Sequence, residues 1–95
     1  MAPDLPSIEL LEATHQFPCV FHFKAIGLST HCFTGRVLDA VKRELAEDAE
    51  PSFSTRSTPN GKHIGVTVEP IVDSAAQVLA IYEQLRGVEG LVMMM

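Results

Sequence analysis

The stretch FPCVFHFKAIG, Phe17 to Gly27, decides how the rest of the chain is placed. Phe17, Cys19, Phe21, Phe23 and Ala25 fall on one side of an extended chain at period two, and Val20, His22, Lys24 and Ile26 fall on the other. One side suits burial and the other is amphipathic, which is the pattern of a central strand in a small sheet. Gly27 then ends the strand ahead of the first helix. Pro18 stands near the strand start, where a missing N–H does least damage to a ladder.

Upstream, residues 1–16 read as an N-terminal tail in which Ser7 can cap a short helical turn and Leu10 or Leu11 can dock on the core, with the first five or six residues loose. Downstream, Ser29 or Thr30 is placed to cap a helix running to about Ala46, with Phe33, Val37, Val41 and Leu45 at fourfold spacing. The acidic run Glu47, Asp48, Glu50 and then Pro51 ends it in a solvated loop. Pro51 to Ser57 is polar apart from Phe53 and suits a sheet edge. Thr58-Pro59-Asn60-Gly61 is a hairpin turn: Pro59 presets φ, Asn60 tolerates the next position, and Gly61 takes a positive φ. Lys62 to Pro70 returns as a strand with Ile64, Val66 and Val68 inward. Asp73 or Ser74 caps a second helix, with Gln77 in capping-box register and Ala75, Val78, Leu79, Tyr82 and Leu85 as its apolar stripe. Gly87 closes that helix, and a last short strand follows with Leu91 and Met93 inward.

Strand, helix, strand, hairpin, strand, helix, strand is the βαββαβ order of an α+β, ferredoxin-like sandwich. Such a unit forms a four-stranded antiparallel sheet in the order 4-1-3-2 with two helices on one face, here spanning residues 17–95. The opposite sheet face is left open, and it carries His22, Lys24, Arg56 or its neighbours, His63, Thr67 and Glu69, with Gly65 outward on the same strand as the last three. The chain has 95 residues, 46% hydrophobic and 20% charged, which is enough for one core and one domain. No apolar run approaches the ~20 residues of a membrane helix. The first residues have neither a basic nor a continuous apolar segment of the secretory kind, so a cytoplasmic location is expected, with no membrane partner. Twelve acidic against seven basic residues give a net charge of −5, which disfavours nucleic-acid phosphates. RNA recognition on this topology also stacks bases on outward aromatics, and the two central strands present none beyond imidazole. Cys19 and Cys32 form no CxxC and read as free thiols.

Three motifs carry a family resemblance. They are FPxxFxFKxxG, the segment SxxxGKHIGVTV from Ser57 to Val68, and QVLxIYxxL from Gln77 to Leu85. Together, over about residues 10–95, the chain resembles the YbeD-like family of uncharacterised bacterial proteins. The resemblance implies a ferredoxin-like domain whose topology is similar to that of ACT regulatory domains, which bind amino acids at subunit interfaces. It supplies no catalytic residues. The acidic loop ahead of the second strand departs from the family pattern.

Five residues stand out as ligand- or partner-binding candidates. Gly27 and Ser29 lie where ACT domains hold a ligand after the first strand, and a helix N-terminus there offers N–H groups to a carboxylate. Equally, Gly27 can supply a backbone conformation and Ser29 a cap. His22, Lys24 and His63 are expected to gather on the open face as an anion or carboxylate site, against a reading in which Lys24 pairs with Glu69 in solvent. The four histidines show no metal-binding spacing, so neither a metal nor another cofactor is expected. Cys32, in the first turn of a helix, has nucleophile potential but no base positioned by that spacing. The expectation is therefore a small regulatory or protein-binding module without catalytic activity. The alternative is an ACT-like homodimer sensing an amino acid or other small carboxylate.

Overall fold

The alternation at Phe17–Gly27 resolves into two strands rather than one. The structure, a computed structural model, describes residues 5–30 and 32–94. Its elements are α1 (Ile8–Thr14), β1 (Cys19–Val20), β2 (Phe23–Leu28), α2 (Phe33–Lys42), β3 (Ser52–Ser57), β4 (His63–Glu69), β5 (Ile71–Val72), α3 (Ala75–Arg86) and β6 (Leu91–Met94). The expectation of a loose start concerns residues that lie in part outside those described.

Strand β2 is flanked by β4 and β6, and β3 pairs outside β4, all antiparallel, giving the order β3-β4-β2-β6. A separate ribbon joins β1 to β5. The break has a cause in Pro70, which has no N–H to donate and stands between β4 and β5. The register nonetheless carries through, with Phe23 opposite Val68 and Cys19 opposite Val72, and Phe21 N–H donates to the Pro70 carbonyl at 3.0 Å. Strand β2 also continues past Gly27 to Leu28.

Period two holds where burial was expected. Phe23, Ala25, Val66 and Val68 are buried, and they meet Phe33, Val37, Ala40 and Val41 of α2 and Val78, Ile81, Tyr82 and Leu85 of α3 in one core. Each large aliphatic or phenylalanine side chain among them stabilises the fold by about 1.5–3 kcal/mol when fully buried. Phe21 and Phe23 stack at 4.9 Å, and Tyr82 meets Phe23 edge-on at 5.0 Å. Helix α1 is capped by Ser7, whose Oγ accepts from Leu10 N–H at 3.1 Å, and it places Leu11 in the same core beside α3.

Three expected details differ. Helix α2 stops at Lys42 instead of about Ala46. Glu44 and Leu45 tighten into i−3 bonds to Val41 and Lys42, and the Glu44 carbonyl accepts Gln77 Nε2 at 2.8 Å in place of a helical donor. Neither Ser29 nor Thr30 caps α2; the N-cap is Cys32, in the left-handed region at φ 57, with no side-chain cap bond. Ser74 does cap α3, accepting from Gln77 N–H at 3.1 Å, while Gln77 Oε1 accepts from Asp73 N–H at 2.6 Å. In β6, Leu91 opposes Gly27 and Met93 opposes Ile26, so Val92 is a surplus residue and the register shifts there. Met94 therefore packs on the core and Met93 turns outward, 51% exposed, contrary to the expected inward Met93.

Candidate functional site

Neighbour pairing defines what the open sheet face presents. Lys24 stands opposite Thr67 and Thr67 opposite Ser54; one step along, Ile26 stands opposite Gly65 and Gly65 opposite Arg56. These rows share the face that alternation turns away from Ala25, Val66 and Val68. At Gly65 the surface has no side chain, so it dips. A β-carbon there would lie 3.9 Å from Ile26 Cγ1, 4.0 Å from Lys24 Cε and 3.7 Å from the Arg56 carbonyl oxygen. Lys24 thus lays its aliphatic stem along the edge of the dip and keeps its ammonium at the surface.

Two adjoining depressions share Lys24, Arg56 and Gly65. One, of ≈ 410 Å³, opens toward Ser54 and Thr67. The other, of ≈ 270 Å³, opens toward Ile26, Ser57 and Pro59. Two strand spacings and an offset of two residues put the Lys24 and Arg56 backbones roughly 12 Å apart across β4. Among the described residues, neither cation has a carboxylate within 4.0 Å. In a chain of net charge −5, that local positive surface is a distinct feature. A larger cavity of ≈ 470 Å³ between α2 and α3 contrasts with it. There Arg36 meets Glu89 at 3.2 Å and Arg43 donates to Gln84 Oε1 at 3.3 Å, and Asp39 and Glu83 also line the cavity, so its cations stand among the chain's own carboxylates.

The five sequence candidates do not form one site. Lys24 belongs to the depression. His22 lies just outside β2 and pairs with Glu69, Nε2 to Oε2 3.1 Å, so the carboxylate expected for Lys24 is taken by the imidazole. His63 stands opposite Leu28, four residues along β2 from Lys24 and so about 13 Å away. The expected His22, Lys24 and His63 cluster is therefore spread along the sheet. Gly27 is buried; a β-carbon on it would run into the Phe33 ring and stand 2.7 Å from the Gly90 carbonyl oxygen. Its role is to admit Phe33, and the space a ligand would need is filled. Ser29 uses its hydroxyl on the Gly61 carbonyl and its N–H on Lys62 O at 3.0 Å, which ties the hairpin loop to the end of β2.

Cys32 is exposed and Cys19 half-buried, both as free thiols. His31 lies outside the described residues, as does any pairing of it with Cys32. Among the described residues, no group of three or more His, Cys, Asp or Glu is arranged to hold a metal ion, and no helix is long and apolar enough to cross a membrane. Two residues of the depression were not singled out from the sequence. Arg56 or its neighbours were placed on the open face without a role, and Gly65 was read only as one of the outward residues of its strand. The signal for both was the G1-type hairpin, because its register puts Arg56 opposite Gly65.

Comparison with known proteins agrees with the fold and leaves the activity open. A UPF0250 protein of Shewanella sp. strain ANA-3 is 33% identical over 75 residues, covering 79% of this chain and 83% of that protein. The UPF0250 protein of Shewanella sediminis is 32% identical over the same length, with the same coverage. The solution structure of protein HP0495 from H. pylori superposes with a TM-score of 0.69 at 14% identity, covering 98% of this chain and 90% of that one. Residues 12–95 match the family described as "Protein of unknown function (DUF493)". The chain belongs to that family.

Proposed function

We propose that this chain is a non-catalytic binding module on a ferredoxin-like βαββαβ frame, its four long strands taken in the order 4-1-3-2, and that it engages a carboxylate-rich segment of a partner protein in the cytoplasm through the depression at Gly65. One observation carries the reading: Lys24 and Arg56 converge on a side-chain-free dip rimmed by the Ser54 and Thr67 hydroxyls, without a carboxylate of the chain's own within ion-pair distance among the described residues. Arg56 offers a planar fork for a carboxylate and Lys24 a mobile point charge. The hydroxyls add donors that a carboxylate can use.

The test is a titration of isotope-labelled protein with a blocked tetraglutamate peptide, followed by amide resonances. Saturable shifts centred on Lys24, Ser54, Arg56, Gly65 and Thr67 are expected, weakening as salt is raised. Replacing Lys24 and Arg56 together by Ala removes them, and both side chains are exposed enough for that variant to fold. Binding that survives the double replacement, or shifts centred elsewhere, would overturn the reading.

A further inference from the structure

The alternation that sends Cys19 and Val72 toward the core turns their ribbon neighbours Val20 and Ile71 outward as a cross-strand pair, 51% and 66% exposed. Nothing in the core accounts for two aliphatic side chains there. They form one wall of a groove of ≈ 380 Å³ whose other wall is the turn after α2, with Leu45, Ala49 and Pro51. Two carboxylates also line the groove, Glu50 on the turn and Glu69 at the end of β4. Glu50 is exposed and Glu69 half-buried, with Lys42 Nζ 3.7 Å from Glu50 Oε2 and His22 Nε2 3.1 Å from Glu69 Oε2. Glu47 and Asp48 precede Glu50 on the same turn and add to its negative charge. A lining of aliphatic side chains with two carboxylates is complementary to a chain that alternates aliphatic and cationic side chains. It is the opposite in charge to the Gly65 depression.

We propose that this groove docks a short segment of a partner protein in which a leucine-like side chain is flanked by lysine or arginine. The aliphatic side chain lies between Val20, Ile71 and Ala49. The flanking cations reach Glu50 and Glu69, displacing the surface contacts those carboxylates make with Lys42 and His22. Recognition is thus apolar for affinity and electrostatic for polarity.

The experiment titrates the isotope-labelled full chain with two blocked peptides, Leu-Lys-Leu-Lys and Leu-Glu-Leu-Glu. The basic peptide should give saturable shifts at Val20, Ala49, Glu50 and Ile71, and the acidic one none at those four. Ile71→Ser should weaken the basic peptide about fivefold or more, as loss of one apolar anchor does, and Glu50→Lys should weaken it at least as far. Both side chains are exposed, and an otherwise unchanged amide spectrum checks that each variant is folded. Equal binding of the two peptides at the groove, an unchanged affinity in Ile71→Ser, or no saturable shift at millimolar peptide would each overturn the proposal. Shifts from the acidic peptide at Lys24 and Arg56 bear only on the other surface, so the two readings fail separately.

Discussion

Replacing Gly27 by alanine adds one methyl group in the most crowded part of the sheet. Gly27 sits in the central strand between β4 and β6, buried, and its backbone is not in the left-handed region. The obstacle is therefore space and not conformation. The new carbon collides with the Phe33 ring, itself 2% exposed, and stands 2.7 Å from the Gly90 carbonyl oxygen, which already accepts Leu28 N–H at 3.0 Å. Neither neighbour is the free end of a flexible side chain. Overpacking of this kind costs about 1–3 kcal/mol. Against it stands about 0.4–1 kcal/mol from the reduced freedom of the unfolded chain. The net expectation is a loss of about 1–2 kcal/mol, or a Tm lower by roughly 5–15 °C for a domain of this size. Urea denaturation of Gly27→Ala, Phe33→Leu and the double variant measures it. Because the methyl and the ring compete for the same volume, the double variant should lose less than the two single losses together, by at least about 0.5 kcal/mol. A Gly27→Ala protein as stable as the wild type, or strictly additive losses, would refute the packing argument.

Burial at two other places sets two further outcomes. Met94→Ser should cost about 1–2 kcal/mol because Met94 packs on the core, while Met93→Ser should stay within about 0.5 kcal/mol; denaturant midpoints that rank the other way would show that the register of β6 is wrong. Burial holds the phenol of Tyr82 above its ordinary value of 10.0. The folded chain thus keeps a proton that the unfolded chain releases, so the stabilisation is full below that value and is lost as pH rises from it through the folded-state pKa. Unfolding measured at successive alkaline pH values should show a shallower decline for Tyr82→Phe than for the wild type, and parallel declines would refute the assignment.

Alternation made the sheet legible where a residue's face depends only on its own position along a strand. Phe23, Ala25, Val66 and Val68 fall inward as period two requires, and the hairpin follows from Pro59, Asn60 and Gly61, with Gly61 at φ 73. What escaped the sequence depends on partners distant along the chain. Met94 replaced Met93 as the inward residue because one surplus residue shifted the pairing with β2. Ile81 is buried although it lies beside the expected stripe, because α3 touches α1, α2 and β5 and so hides a wider arc of its surface. Ser29 looked like a helix cap by position, yet the hairpin loop claims its hydroxyl. For the candidate site, Lys24 was legible as an outward cation. Its convergence with Arg56 was not, since that needs both the pairing of β3 with β4 and an empty place at Gly65.

The surplus residue in β6 also bears on what the borders of the sheet offer to a foreign strand. The two borders of the sheet are unlike. On β3, Arg56 and the run of serines discourage a foreign strand from adding. On β6, Val92 and Met93 are exposed, uncharged and free of proline, which is the chemistry on which fibrils grow. A growing cross-chain ladder, however, needs a straight template with an unbroken two-residue repeat. Val92 breaks that repeat and bends the strand within four residues, so the border that lacks charge is shielded by shape instead. Deleting Val92 would leave the pairings of Leu91 and Met94 intact while straightening the border, making it a better template for stacking.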